Sequence, residues 1–155
     1  MSIFEDARRV STGFRVARLF RMNACLLERK VGRLGLCHGQ IPYVLSTLEH
    51  GEQTQDALAA QLHVCPAATA RALKNLEAAG FVTRAENPEN RRQKLVRATP
   101  QAEAIADELQ TLLVEYNSLL LDGFSEEERT QLMSLLDRTI ANAEGMLKDG
   151  EACDA

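Results

Sequence analysis

The chain has 155 residues, of which 45% are hydrophobic and 26% are charged, and its formal net charge is −4. This length suits one domain, or a small domain with helical extensions, and allows a hydrophobic core without a metal ion or disulfide bonds. The chain has no apolar run near the roughly 20 residues that a membrane span needs. Its first residues contain no signal-peptide core, so we expect a cytoplasmic protein without a membrane partner.

The first predicted element is a long amphipathic helix over residues 4–33. Its apolar positions recur alternately three and four residues apart, which is the spacing of one helix face, at Val10, Phe14, Ala17, Phe20, Ala24 and Leu27. A second helix is predicted over residues 39–48. Pro42 lies in its first turn, where the N–H that proline lacks would be unpaired anyway.

Residues 54–99 have the most specific organisation in the chain, with two short helices in close succession. Thr54 is a suitable N-cap for the third helix, Gln55–Leu62. Cys65 followed by Pro66 fits a cap residue followed by proline at the first position of the fourth helix. The short break between the two helices is typical of a helix-turn-helix, whose second helix enters the major groove of DNA.

A charged two-stranded ribbon is predicted after the fourth helix, which ends at Gly80. The strands, Phe81–Ala85 and Gln93–Thr99, alternate in polarity and are joined by a loop rich in Asn, Pro and Arg. Such a ribbon is the wing of a winged helix-turn-helix, and its cationic tip lies beside the same duplex.

Two further helices are predicted at the C-terminal end, one from Pro100 to Leu121 and one from Glu126 to about Lys148. Ser125 and Glu128 have the spacing of a capping box at the start of the second. The two helices carry more apolar surface than one small winged domain can cover. That surface either packs against the first helix of the same chain or forms a dimer interface built from both chain ends, and we favour the dimer.

The predicted fold class is therefore mainly α with a small β-wing. The predicted division is an N-terminal dimerisation helix (1–34), a winged helix-turn-helix DNA-binding lobe (35–99) and C-terminal dimerisation helices (100–155). The charge follows this division: residues 54–99 hold seven basic and four acidic residues, whereas residues 100–155 hold three basic and thirteen acidic ones. A local basic surface, rather than the total charge, releases counterions from a duplex.

The segment LAAQLHVCPAATARALKNLEAAGFVTRAENPENRRQKLVRATP resembles the DNA-binding lobe of MarR-type transcriptional regulators. The likeness includes a recognition helix that ends LE–x–x–G, an arginine after the next strand and a strand ending in Thr, and it extends over essentially the whole chain. Two positions depart from the family pattern. Asn90 replaces the acid that would orient Arg92, an interaction that an amide oxygen makes more weakly, and Ala102 replaces a glycine.

The resemblance implies a sequence-specific, double-stranded-DNA-binding regulator that acts as a homodimer on an inverted repeat, as a repressor. The outward face of the fourth helix and the wing supply the candidate DNA contacts, together with the backbone N–H groups at the start of the third helix. These candidates are Thr54, Gln55, Ala67, Ala68, Arg71, Lys74, Asn75, Arg91, Arg92 and Lys94.

Family members also respond to small phenolic or aromatic compounds bound between the dimer helices and the DNA lobe. The resemblance therefore implies an effector site, for which the candidates are Arg15, Arg18, His38, Tyr43 and Tyr116. An arginine beside an apolar pocket can pair with the carboxylate of an aromatic acid.

Two alternatives remain at this point. The first is a redox-responsive regulator using Cys25, Cys37 or Cys65, because a helix N-terminus lowers a thiol pKa and the last two thiols stand at predicted helix starts. The second is a winged-helix interaction module that does not bind DNA. Since no phosphate-cradling glycines, carboxylate pair or metal-ligand spacing is present, we expect no enzymatic activity, no metal and no cofactor.

Overall fold

The computed structural model describes residues 10–153, with side chains described through residue 147. Residues 4–9 of the predicted first helix and the last two residues of the chain lie outside the described residues. The helices are α1 (Thr12–Val31), α2 (Ile41–His50), α3 (Gln55–Gln61), α4 (Pro66–Ala78), α5 (Pro100–Ala104), α6 (Ala106–Leu120) and α7 (Glu126–Cys153). The strands are β1 (Gln53–Thr54), β2 (Val82–Glu86) and β3 (Lys94–Ala98). The predicted class, mainly α with a small β-wing, is confirmed.

The sheet has three antiparallel strands in the order β1-β3-β2, one more than the sequence predicts. In the ribbon, Val82 pairs with Ala98 at the base and Glu86 pairs with Lys94 towards the tip. The additional strand, β1, has only two residues and pairs with the other side of β3. Two residues are too few to show the alternating polarity by which a strand is recognised.

Two compact units make up the described chain, with the boundary between Leu112 and Leu113. This boundary falls within α6, and the three-part division made from the sequence stays a prediction. The N-terminal unit has an apolar core to which α1, α2, α3, α4 and the sheet all contribute. Its most deeply buried side chains are Val31, Leu36, Val44, Leu58, Leu73, Leu76, Val82, Val96 and Leu109.

Several helix boundaries differ from the predicted ones, including the end of α7, which lies at Cys153 and not near Lys148. Short 3-10 turns, Gly32–Leu34 and His38–Gln40, replace the predicted end of the first helix and the start of the second. The long helix predicted from Pro100 is interrupted at Ile105, which separates α5 from α6. No proline or glycine marks this interruption, so the sequence gives no local sign of it.

The C-terminal unit consists of the second half of α6, a turn and α7. Ser125 and Glu128 form the predicted capping box: the Ser125 N–H donates to the Glu128 carboxylate at 2.8 Å, and the Glu128 N–H donates to the Ser125 hydroxyl at 3.2 Å. The guanidinium of Arg129 donates to the carbonyl oxygens of Leu121 and Phe124 at 3.1 and 3.3 Å. Arg129 therefore connects α7 to the turn that precedes it, in which the Leu121 carbonyl also accepts the N–H of Phe124 at 3.2 Å.

Apolar side chains remain exposed in a single chain at both ends of the described sequence. On α1 they include Val16, Leu19, Phe20 and Met22, and in the C-terminal unit they include Val114, Leu119, Met133, Leu135, Leu136 and Ile140. No helix among residues 10–153 is long and apolar enough to cross a membrane.

Candidate nucleic-acid interface

Helix α4 begins where the sequence predicts. Cys65 is its N-cap, in an extended conformation, and Pro66 follows in the first turn. The Cys65 thiol makes no capping hydrogen bond to the helix. Proline starts this helix well because its fixed φ suits the first turn and its missing N–H costs nothing there.

The two faces of α4 have different chemistry. One face buries Thr69, Leu73 and Leu76 in the core of the N-terminal unit. The opposite face exposes the predicted contact residues Ala67, Arg71, Lys74 and Asn75, whereas Ala68 is half-buried. This face has the donors and the small apolar groups that can read base edges and thymine methyls in a major groove.

A buried hydrogen bond ties α4 to α2. The hydroxyl groups of Tyr43 and Thr69 lie 3.1 Å apart, and both side chains are almost fully buried. Because an unpaired buried hydroxyl is costly, this bond limits how far α4 can move along α2.

The backbone conformation of the turn before α4 and the N-cap of α3 are both well defined. His63 has a φ of 50°, the only positive φ among the described non-glycine residues. Thr54 is the N-cap of α3, and its hydroxyl accepts the N–H of Ala57 at 3.1 Å. The backbone around the half-buried Gln55 therefore starts the helix at the position that the sequence predicts.

The tip of the wing is organised by two asparagines. The Asn87 side-chain oxygen accepts the N–H of Glu89 at 3.0 Å, and the Asn90 side-chain oxygen accepts the N–H of Arg92 at 3.2 Å. The Asn90 side-chain oxygen, which the sequence suggests as a weak partner for the Arg92 guanidinium, engages the backbone of the turn. Arg91 and Arg92 are exposed.

The basic residues of the winged lobe fall into two groups. Arg84 bonds to Glu77, Lys94 lies 3.7 Å from Glu86, and Arg97 lies 3.1 Å from Glu52. Among the described residues, the other group has no ion pair and consists of Arg71, Lys74, Arg91 and Arg92. These four cations are available to phosphates without first losing a carboxylate partner.

Two of the effector candidates line one cavity in the N-terminal unit. A cavity of about 580 Å³ is lined by residues from α1 to α4, namely Phe20, His38, Gly39, Pro42, Tyr43, Gln61, Leu62, Val64, Ala68 and Ala72. His38 and Tyr43 belong to this set, whereas the predicted Arg15, Arg18 and Tyr116 do not line this cavity. Burial raises the pKa of the Tyr116 phenol.

Sequence reasoning missed the contributions of α1 and α4 to this cavity. Phe20 was assigned to the dimer stripe of α1, yet its ring meets the His38 ring edge-on with centroids 5.7 Å apart. Ala68 was assigned to the DNA face, and its neighbour Ala72 was assigned no role. Small residues on the buried side of a recognition helix are a signal that could have indicated space for a ligand.

The three cysteines proposed for redox sensing, Cys25, Cys37 and Cys65, are all free and exposed. A lowered thiol pKa was expected for Cys37 at a helix start, and this expectation is wrong. Desolvation of the thiol, and then the neighbouring Glu28 carboxylate, raise the pKa of Cys37 although the residue is exposed. Glu28 also accepts the N–H of His38 at 2.7 Å, so its negative charge is held beside the thiol. In the described part of the chain, no group of three or more His, Cys, Asp or Glu residues could hold a metal ion.

Comparison with known proteins agrees with this geometry. Residues 40–94 match the model of the MarR family. The chain is 29% identical over 111 residues to the uncharacterized HTH-type transcriptional regulator YybA of Bacillus subtilis. The aligned region covers 72% of this chain and 74% of that protein.

Solved structures have the same fold. The crystal structure of MarR matches with a TM-score of 0.81 and 28% identity, covering 92% of this chain and 97% of that one. A putative MarR family transcriptional regulator from Listeria monocytogenes, complexed with 26mer DNA, matches with a TM-score of 0.75 and 23% identity, covering 92% of this chain and 89% of that one.

Proposed function

We propose that the chain is a winged helix-turn-helix transcriptional regulator of the MarR family, which binds a specific double-stranded DNA operator as a homodimer and represses transcription there. The observation that carries this proposal is the set of four cations on the exposed face of α4 and at the wing tip that have no ion-pair partner within the described part of the chain. The Listeria monocytogenes protein of the same fold was solved with DNA, which supports a duplex as the ligand.

The exposed face of α4 reads the major groove in this proposal. Arg71 donates to guanine O6 and N7 or to a phosphate, and Asn75 reaches a base edge or the backbone. Ala67 faces a thymine methyl group, and Lys74, nearer the end of the helix, binds a phosphate. Arg71 and Asn75 therefore carry most of the sequence discrimination.

The wing and the start of α3 hold the duplex in register. Arg91 and Arg92 enter the minor groove, whose narrow A·T stretches concentrate negative potential. Lys94 follows the backbone after it exchanges Glu86 for a phosphate, which costs little because exposed ion pairs are weak. The backbone N–H groups near Thr54 and Gln55 bind a further phosphate.

A second copy of the chain covers the exposed apolar side chains of α1 and the C-terminal unit. Val16 and Phe20 on α1 and Leu119 and Ile140 in the C-terminal unit are each at least half exposed in a single chain, and such surfaces mark interfaces. A two-fold dimer reads an inverted repeat whose half-sites are about 34–36 Å apart. Gel filtration with light scattering tests this point, since a monomer at micromolar concentration would contradict it.

A small aromatic or phenolic effector releases the DNA by occupying the cavity bounded by α1, α2, α3 and α4. Phe20, His38 and Tyr43 give this cavity an aromatic lining, and Gln61 gives it a polar one. Ala68 and Ala72 bring α4 to its wall, so a bound ligand contacts the recognition helix directly. Ala72→Leu, which fills the space, should abolish the thermal stabilisation that aromatic compounds give to the wild type, and equal stabilisation of both proteins would refute the assignment.

The decisive experiment is selection of bound sequences from random duplexes, followed by fluorescence-anisotropy titration of the selected duplex. We expect an enriched inverted repeat and a specific affinity at least about a thousandfold above that for unrelated DNA. Arg71→Ala should relax the base preference at one position of each half-site, at a cost of about 1–3 kcal/mol per contact. If no sequence is enriched and no duplex binds at moderate salt, the chain is an interaction module and the proposal fails.

A further inference from the structure

The ion pair between Glu77 and Arg84 joins the recognition helix to the wing. Glu77 lies in the last turn of α4, and Arg84 lies in the middle of β2. The Nε and Nη2 atoms of Arg84 donate to the same carboxylate oxygen of Glu77, at 3.0 and 2.7 Å. The hydrogen bond from Arg84 is the main reason why the pKa of Glu77 is lowered.

This pair differs from the other ion pairs of the winged lobe in its burial and in what it connects. The Arg84 side chain is 21% exposed, whereas the side chains of Lys94 and Arg97 are 48% and 64% exposed. The Lys94–Glu86 pair lies within the ribbon. Among the described side chains, Glu77–Arg84 is the ion pair that connects α4 with the sheet.

Arg84 lies where the ribbon begins to project from the body of the N-terminal unit. Val82 and Val96 are fully buried and anchor its base, and Arg84 is opposite Val96 in the register. The residues that follow, Ala85 and Glu86, are exposed. Arg84 is therefore the last side chain of β2 that connects the ribbon to the body of the N-terminal unit.

We propose that Glu77 is a positioning residue for DNA binding, which acts by holding Arg84 and so fixing the direction of the wing relative to α4. This inference rests on the proposed DNA binding and adds to it a residue that does not touch DNA. The tip lies about five residues beyond Arg84, or about 17 Å along an extended strand. A change of about 10° in the ribbon's direction would displace the tip by about 3 Å, which is the length of a whole hydrogen bond.

Removal of the Glu77 charge distinguishes a positioning role from a general electrostatic effect, because the two predict opposite changes in DNA affinity. Glu77→Gln deletes a negative charge from a lobe that binds a polyanion, so electrostatics alone predicts tighter binding. Positioning predicts weaker binding, because the amide holds the guanidinium less firmly and the wing samples more directions. The two explanations differ in sign.

The test is fluorescence-anisotropy titration of the duplex selected by the wild-type protein. We expect Glu77→Gln to weaken DNA binding about fivefold or more, which is the usual size of the coupling between two side chains that contact each other. Glu89→Gln is the matched control, since Glu89 is an exposed acid of the wing tip with no ion pair among the described residues. It removes the same charge and should leave the affinity unchanged or raise it.

A charge-reversed pair gives a second readout that a loss of stability would not produce. Glu77→Arg and Arg84→Glu, each alone, should weaken operator binding, and the double variant should recover part of the loss at unchanged net charge. Circular dichroism melts confirm that each variant is folded at the titration temperature. If Glu77→Gln is not, Glu77→Ala replaces it, because that substitution removes the same negative charge and electrostatics alone again predicts tighter binding.

The inference is overturned if Glu77→Gln binds as tightly as the wild type or more tightly, or if the double variant binds no better than the weaker single variant. Failure of the wild type to select any duplex would instead refute the proposed function, so the two failures are distinguishable.

Discussion

Replacement of Arg92 by alanine should weaken DNA binding in a way that depends on salt. The Arg92 side chain is exposed, and its backbone N–H is held by the Asn90 side chain while its guanidinium has no ion pair among the described residues. The substitution therefore removes a cation without leaving a carboxylate unpaired and without disturbing the turn. We expect the folded state to be unaffected.

The magnitude follows from the number of cations without partners. Four such cations in each winged lobe give eight in a dimer, and each phosphate neutralised contributes about −0.9 to the slope of log K against log salt. These eight cations should therefore contribute about −7 to the wild-type slope, to which Lys94 of each subunit adds about −1. Arg92→Ala removes one cation from each subunit, so its slope should be less steep than that of the wild type by about 2.

The assay is fluorescence-anisotropy titration of the selected duplex at several salt concentrations between 50 and about 200 mM, the range in which this slope is usually measured. Arg92→Lys is the matched control, because it keeps the charge and loses only the planar donor fork. It should keep the wild-type slope even where its affinity falls. If Arg92→Ala keeps the wild-type slope, Arg92 contacts neither a phosphate nor the minor groove, and the wing tip does not lie against the duplex.

Three further predictions concern the lobe itself. The pKa of Glu77 is lowered in the folded protein. The ionised carboxylate therefore stabilises the fold at pH values above the unfolded-state pKa of about 4.3, and this stabilisation is lost as the pH falls through the lower folded-state pKa. In urea melts, the stability difference between the wild type and Glu77→Gln should shrink as the pH falls between these two pKa values. Tyr43→Phe leaves the Thr69 hydroxyl buried without its partner and should cost about 1–2 kcal/mol in denaturant unfolding. Glu28→Gln removes one cause of the raised Cys37 pKa, so iodoacetamide should alkylate this thiol faster at fixed pH, as followed by mass spectrometry; an unchanged rate would contradict that cause.

The parts that could be predicted from the sequence are those set by local signals. Pro66 begins α4, Ser125 and Glu128 cap α7, and the spacing of Thr69, Leu73 and Leu76 separates the buried face of α4 from the exposed one. Each of these signals acts within one or two helical turns, so the residues themselves are sufficient. The winged helix-turn-helix could be predicted from the sequence for the same reason.

The parts that could not be predicted depend on contacts between distant segments. The short strand β1 exists because β3 offers it an edge. The cavity combines Phe20 of α1 with Ala72 of α4, which are far apart in the chain. The Cys37 thiol faces Glu28 of the preceding helix, so a rule about helix starts gave the wrong direction for its pKa.

The proposed effector cavity and the Glu77–Arg84 pair lead to a joint consequence. A ligand that displaces α4 at Ala72 also displaces Glu77, which lies five residues further along the same helix, and through Arg84 it displaces the wing. The effect of the ligand on operator affinity should therefore be smaller in Glu77→Gln than in the wild type, because a wing that is no longer held cannot be moved in concert with the helix. By linkage, the effect of the operator on ligand affinity should fall by the same factor. Titration of an aromatic compound found by thermal-shift screening, with and without the selected duplex, measures both quantities, and an equal coupling in the two proteins would show that the ligand acts on α4 alone.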